Sequence, residues 1–186
     1  AILTAAGKST RMGRSKLLLE WDGRTLLEYM VFSLCLAGVS ELIVVLGHQS
    51  DQIQVPVSDD RVRYVVNEQY ELGRSESIKC GLNHITQDPE NILLLSVDQP
   101  RTPEIISKII EEHLRRGALI TSPRFDGKGG HPLLISGILK DQLSTITEHT
   151  QGIREIFRLN RDKVTNLELE DPMVCLDMNT LEQYNR

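Results

Sequence analysis

Hydrophobic positions in this chain fall into two textures. Short, nearly unbroken apolar runs occur at Ala1–Ala6, Glu41-Leu-Ile-Val-Val-Leu46, Arg61-Val-Arg-Tyr-Val-Val66, Asn91-Ile-Leu-Leu-Leu-Ser-Val97 and Ala118-Leu-Ile-Thr121. Their length and continuity suit strands of a parallel sheet covered on both faces. Helical segments lie between them. Thr25-Leu-Leu-Glu28 is a capping box that opens a helix to about Ala37, and Gly38 can end it. Ser75 to about His84 forms a second helix. Thr102-Pro103-Glu104 opens a third, with Thr as N-cap and Pro at the first helical position, and it runs to about Arg116 before Gly117. This alternation predicts one domain over residues 1–186, a three-layer, doubly wound α/β sandwich with a mostly parallel, Rossmann-like sheet. After Gly127 the elements shorten. Residues 125–135 read as an excursion from the main sheet, such as a hairpin. Short helices follow near 137–145 and 151–159, then strands near 163–169 and 173–176 and a short C-terminal helix.

Ligands in such sheets bind beyond the carboxyl ends of the strands. The loop after the first strand, the 67–81 segment and Asp98 are all expected there. That first loop is punctuated by Gly7 and Gly13, and Lys8, Arg11, Arg14 and Lys16 place four cations in nine positions of a chain whose formal net charge is −5. Small residues let backbone N–H groups approach phosphates and cations neutralise them, so the loop suits a triphosphate. It is not a Walker loop, although Gly7-Lys8-Ser9-Thr10 looks like the end of one: Ile2 stands where the earlier glycine belongs. The bland alternative is a glycine-rich turn beside a solvated basic patch.

Composition narrows the partners. With 186 residues, 40% of them hydrophobic, the chain can bury a full α/β core. A pI near 5.6 argues against nucleic acid as the main partner. The sequence has no apolar run long enough for a membrane span and no secretory leader pattern, so a cytoplasmic protein is expected. Cys35, Cys80 and Cys175 are odd in number and widely spaced, which points to buried free thiols rather than disulfides or a zinc site. Cys175 is expected in a strand. His48, His84, His113 and His149 lack ligand spacing and read as ordinary core or surface histidines.

The ordered pattern Leu3-x-Ala5-Ala6-Gly7-x-Ser9-x-Arg11-Met12-Gly13-x-x-Lys16 resembles the signature loop of nucleotidyltransferases, in particular the MobA-like family that includes the molybdenum cofactor cytidylyl- and guanylyltransferases. The resemblance extends to Glu182 and implies the nucleotide-diphospho-sugar transferase type of fold. It implies that Leu3, Ala5, Ala6, Gly7, Ser9, Arg11 and Lys16 bind the nucleotide, with Arg11 and Lys16 gripping the triphosphate.

Four further features carry candidate chemistry. Asp98 follows a buried-looking strand and precedes Gln99-Pro100. The resemblance assigns it to Mg²⁺, a hard cation that takes one or two carboxylates and completes its shell with water and phosphates; the alternative is a simple loop cap. Asp177-Met178-Asn179-Thr180 also follows an apolar stretch. The family pattern there is Asp-x-Asp-Thr-Pro-Glu-Asp. Asp177, Thr180 and Glu182 match it, while Asn179, Leu181 and Gln183 depart. Asp177 is therefore a second metal candidate, against a reading in which Asn179 or Thr180 caps the last helix. Gly129-Gly130-His131-Pro132 resembles the Gly-His-Pro segment of the cytidylyltransferase branch. His131 can hold the second substrate, act as acid or base near neutrality, or merely brace a turn. Ser75 and Ser77 open a helix whose N-terminus favours anions, unless Ser75 is only its cap. Relatives place this segment, with Gly81, beside nucleotide and acceptor. Asn67 can read a base edge. Arg154 is carried over as an acceptor contact, or is a surface arginine.

The implied reaction is transfer of CMP from CTP to the phosphate of molybdopterin or molybdenum cofactor, with Mg²⁺ and release of pyrophosphate, and a transient contact with a molybdoenzyme or its chaperone. Asp98, Arg11 and Lys16 would carry catalysis. The form Leu-x-Ala-Ala-Gly favours CTP, because the methyl of Ala6 restricts room for a purine. The rival readings are a guanylyltransferase, a sugar- or alcohol-phosphate nucleotidyltransferase, and a non-catalytic nucleotide- or cofactor-binding maturation protein.

Overall fold

The computed structural model describes residues 1–8, 15–53 and 59–184. In chain order the elements are β1 (Ile2–Ala5), β2 (Glu20–Trp21), β3 (Arg24–Thr25), α1 (Leu26–Leu36), β4 (Leu42–Leu46), β5 (Val62–Val66), α2 (Arg74–Asn83), β6 (Asn91–Ser96), α3 (Pro103–Arg116), β7 (Ile120–Phe125), β8 (Lys128–Gly129), β9 (Leu133–Ser136), α4 (Lys140–Ser144), α5 (Ile153–Leu159), β10 (Val164–Glu168) and α6 (Leu181–Tyr184). The main sheet runs β10-β7-β9-β6-β1-β4-β5, with β8 paired to β7. β1 pairs in parallel with both β4 and β6, β4 with β5, and β7 with β10. β9 alone in that order runs antiparallel to its neighbours β6 and β7. β2 and β3 form a separate antiparallel ribbon.

Alternation along the central strands divides the core in two. Leu3, Val44, Leu46, Leu93 and Leu95 face α1 and α3, while Ile2, Ile43, Val45, Ile92 and Leu94 face α2, α4 and α5. Successive side chains of a strand point to opposite faces, so unbroken apolar runs are what two helical layers require. The expected three-layer, mostly parallel sandwich is therefore the fold. The predicted helix signals hold at atomic level. Thr25 and Glu28 form the capping box of α1, and Thr102 caps α3 ahead of Pro103, with Gly117 left-handed beyond its end. Among the described residues, no helix is long and apolar enough to cross a membrane.

Three expectations change after Gly117. The strand expected at 118–121 starts later and runs on to Phe125. The 125–135 segment is only partly an excursion. Asp126 and Gly127, both at positive φ, turn β7 into β8, but Leu133–Ser136 returns as β9 between β6 and β7 in the middle of the sheet. Leu133, Leu134 and Ile135 are buried there, which is why this run is wholly apolar. The strand expected at 173–176 is instead a 3-10 turn, Pro172–Cys175, started by the Asp171 carboxylate accepting from Met173 N at 2.8 Å. Cys175 therefore lies in a turn, and all three thiols are free and half-buried rather than buried.

α2 lies close to the sheet because Gly81 has no side chain: a Cβ there would meet Ile2 Cγ2 at 2.6 Å. Forced overpacking of this kind costs on the order of 1–3 kcal/mol. Gly81→Ala should lower the denaturant midpoint accordingly with little change in m-value, read by urea unfolding.

Candidate active site

The carboxyl ends of β1 and β6 lie side by side, and the chain leaves both into one cleft. β1 delivers Ala6, Gly7 and Lys8. Leu3 and Ala5 are buried in the strand, and Ala6 is covered by Gly47, where an added Cβ would stand 2.7 Å from Ala6 Cβ. Gly7 faces open space. Ser9 and Arg11 lie outside the described residues. The chain is described again at Ser15, and Lys16 begins a 3-10 turn. Lys16 Nζ donates to Asp98 Oδ2 at 3.0 Å and to Asn179 Oδ1 at 3.2 Å. The segment after β1, the tip of β6 and the C-terminal segment therefore meet at one ammonium group. Burial works against ionisation of Asp98, but the Ser96 hydroxyl, the Lys16 ammonium and Arg74 outweigh it and hold its carboxyl below the usual range.

Asp177 is brought alongside by the backbone. Met178 N donates to Asp98 O at 2.8 Å, and Asp177 Oδ1 accepts from Gln99 Nε2 at 2.8 Å. Of the two caps the sequence offered for the last helix, Thr180 is the one formed: its Oγ1 accepts from Gln183 N, while Gln183 Oε1 accepts from Asn179 N and Thr180 N. This reciprocal cap gives Thr180 and Gln183 their role and leaves Asp177 to the cleft. Among the described residues, no group of three or more His, Cys, Asp or Glu is placed to hold a metal.

His131 stands on the far wall. Its Nδ1 lies 2.9 Å from Gln99 Nε2 and its N–H donates to Val174 O at 2.9 Å. Desolvation, with Arg74 and Arg101 nearby, pushes its pKa down to about 3. The near-neutral titration expected of it is thus absent, and the imidazole is uncharged at physiological pH. Gly130 is required just before it, because a Cβ there would meet Val174 O.

Two arginines organise this wall, and neither was a candidate from the sequence. Arg101 is fully buried, and donates to His131 O at 2.8 Å, Pro100 O at 2.7 Å, Leu176 O at 3.0 Å and Val174 O at 2.7 Å. Desolvation lowers its pKa to about 10, so it remains a cation. Arg74 is open to water yet flanked by protein on most sides, as a side chain lining a cleft is; desolvation lowers its pKa, against the pull of Asp98, Asp177 and Glu148. The signal available in sequence was adjacency: Gln99, Pro100 and Arg101 follow Asp98 directly, and Arg74 sits between Gly73 and Ser75.

The remaining candidates are more occupied than expected. Ser75 N and Oγ both donate to Glu148 Oε1, at 2.7 and 2.8 Å, so this carboxylate already fills the N-terminus of α2. Ser77 Oγ accepts from Asn67 Nδ2 at 3.1 Å, and Asn67 Oδ1 accepts from Gln69 N at 3.0 Å. Arg154 is exposed on α5, and no hydrogen bond among the described residues ties it to Lys16 or Asp98.

A mostly parallel sheet with a glycine-and-cation loop on β1 and an ionised aspartate at the tip of β6 is the arrangement of a nucleotide-using α/β enzyme. Residues 1–165 match the model of the MobA-like NTP transferase domain, and the chain belongs to that family. It is 28% identical to nicotine blue oxidoreductase of Paenarthrobacter nicotinovorans, over 100% of this chain and 94% of that protein. It is 26% identical to molybdenum cofactor cytidylyltransferase of Escherichia coli K12, over 98% of this chain and 92% of that one. Among solved structures, Rv0371c of Mycobacterium tuberculosis H37Rv superposes with a TM-score of 0.85 at 26% identity, covering 100% of this chain and 94% of that one. Its manganese complex superposes with a TM-score of 0.82 at 25% identity, covering 100% and 95%.

Acid should destabilise the site from two sides. The folded pKa of His131, about 3, lies below its unfolded value, so its contribution is intact above about pH 6.5 and is lost as pH falls toward 3. The lowered Asp98 carboxyl acts with the same sign at lower pH. Unfolding free energy should fall between pH 6 and 4 with up to about 1.4 kcal/mol per pH unit from His131, a slope reduced in His131→Gln; urea titrations across that range read it.

Proposed function

We propose that this chain transfers CMP from CTP to the terminal phosphate of a pterin-type acceptor, molybdopterin or molybdenum cofactor, and releases pyrophosphate. The observation that carries the reading is Lys16 Nζ bridging Asp98 and Asn179 where the β1 loop meets the tip of β6. A cation beside an ionised carboxylate at the mouth of this cleft is the pairing that a polyphosphate with a divalent cation would use. The full-length similarity to a cytidylyltransferase supports the choice of nucleotide and acceptor.

The donors fit Mg²⁺ or a similar hard divalent cation. Asp98 is held ionised, Asp177 is linked to it through Gln99 and the backbone, and substrate phosphates and water would complete the shell. Such an ion supplies charge neutralisation on the phosphates. The manganese complex of Rv0371c supports a divalent requirement. Asp98 and Asp177 would hold the ion, while Lys16, together with Arg11, would neutralise the leaving pyrophosphate. Arg74 stands on the acceptor side of the cleft. The acceptor phosphate is already an anion and attacks the α-phosphorus in line, so no strong base is needed. An uncharged His131 is compatible with that. Catalysis then rests on positioning and electrostatics. Gly7, Ser9, Ser77 and Asn67 belong to the nucleotide side, and Ser75, His131 and Arg154 to the acceptor side; Gly81, packed on Ile2 at the amino end of β1, serves the core and not the cleft.

Pyrophosphate release with molybdenum cofactor should occur with CTP and Mg²⁺, be abolished by EDTA, and fall by about a hundredfold or more in Asp98→Ala. Turnover with GTP in place of CTP would move the assignment to a guanylyltransferase. Redox turnover without pyrophosphate release would favour the second reading, prompted by the full-length likeness to an enzyme named as an oxidoreductase.

A further inference from the structure

The Gln99 amide fits its site in only one orientation. Its Oε1 accepts from Ser96 N at 3.2 Å, and its Nε2 faces the carboxylate oxygen Asp177 Oδ1 at 2.8 Å; turned over, an oxygen would face that carboxylate. Nε2 has two hydrogens. One goes to Asp177, and the other goes to His131 Nδ1 at 2.9 Å. Nδ1 must then accept, and a neutral imidazole that accepts at Nδ1 carries its proton on Nε2.

Nothing lets the ring escape this arrangement. Gln99 is buried, and the His131 backbone is held on both sides, by Arg101 on its carbonyl and by Val174 O on its N–H. His131 itself is half-buried, with its Nδ1 edge turned to the buried amide. The Nε2 edge is the one turned away from that amide, and the charge of Arg74 is felt by the ring.

We propose that Gln99 is a positioning residue that fixes His131 as a neutral Nε2–H donor, and that this donor holds an anionic oxygen of the incoming acceptor phosphate. The second half rests on the nucleotidyltransferase reading. His131 then binds and orients and does not exchange protons with the substrate: its Nδ1 lone pair is spent on Gln99, and Nε2 presents a hydrogen. Asp177 acquires a second task, because it sets the direction of the Gln99 amide and hence the tautomer of a ring it does not touch.

Gln99→Glu tests the arrangement almost isosterically. An oxygen in place of the NH₂ group has at most one proton for two acceptors. Asp177 takes any such proton, and the oxygen can then only accept from His131. The proton of the ring should move to Nδ1 and a lone pair should face the cleft. Long-range ¹H–¹⁵N spectra of labelled protein at neutral pH read this directly, with the His131 signals assigned by their loss in His131→Gln. The wild type should show a protonated Nε2 and a bare Nδ1, Gln99→Glu the reverse. Inorganic phosphate should shift the Nε2 signal of the wild type and not that of the variant. In turnover, Gln99→Glu should raise KM for the acceptor about tenfold or more, the size of one hydrogen bond to a charged group, while kcat falls less and CTP affinity holds.

His131→Gln keeps an N–H near the Nε2 position and should recover most of the acceptor affinity lost in His131→Ala. A wild-type ring protonated on Nδ1 or on both nitrogens would overturn the proposal. So would an unchanged tautomer in folded Gln99→Glu, or an equal loss of acceptor affinity in His131→Gln and His131→Ala. Should Gln99→Glu fail to fold, the wild-type spectra, the phosphate shift and the two His131 variants decide. The spectra and the phosphate titration need no turnover, so failure of the proposed reaction and failure of the Gln99 role are separately visible.

Discussion

A single buried guanidinium holds the His131 wall of the cleft together. Arg101 gathers carbonyls from Pro100, His131, Val174 and Leu176, three stretches of chain far apart in sequence. None of these carbonyls lies in an α-helix or a strand ladder, and a buried unpaired carbonyl is costly. The guanidinium is itself desolvated and loses basicity for it, yet remains charged. Four neutral acceptors around one cation meet both needs, and they fix where the Gly-His-Pro turn, the tip of β6 and the C-terminal segment sit relative to one another. A charge buried in this way is strongly destabilising once its partners are removed, so the three segments keep their places together.

From that frame the electrostatics of the cleft follow. Asp98 and Asp177 come close through a backbone hydrogen bond from Met178 and through the side chain of Gln99. Lys16 donates to Asp98 from the segment after β1, and Arg74 at the start of α2 is drawn by both carboxylates. The formal charge of the chain is −5, but the cleft mixes both signs. A polyphosphate with a divalent cation presents that same mixture. The N-terminus of α2 shows the same economy: Glu148 occupies the position in which an anion is favoured, in close approach to Gly73.

The strands around β1, the helices α1 to α3 and the caps of α1 and α3 were legible because their signals are local, whereas α2 is capped at Gly73 and not, as the sequence offered, at Ser75. A capping box, a proline at the first helical turn and an unbroken apolar run each act within a few residues. Lys16 and Asp98 were legible for a similar reason, since each follows a recognisable strand. The second half was harder. Leu133–Ser136 and Pro172–Cys175 are both short and apolar, yet one is a central strand and the other a 3-10 turn. What separates them is partnership: β9 has a strand on each side, whereas the carbonyl of Val174 is taken by Arg101 and by the His131 N–H.

The sequence by itself determined the layered sheet, the position of the crevice, and the cation and carboxylate that face each other across it, because periodicity and strand-end placement are properties of the chain read locally. Only the tertiary structure decided the charge state of His131, the burial of Arg101, the direction of the Gln99 amide and the occupation of the α2 N-terminus by Glu148. Each of these depends on desolvation or on a hydrogen bond between segments tens of residues apart. Neither effect has a sequence period, since the environment that sets them exists only once the sheet has closed.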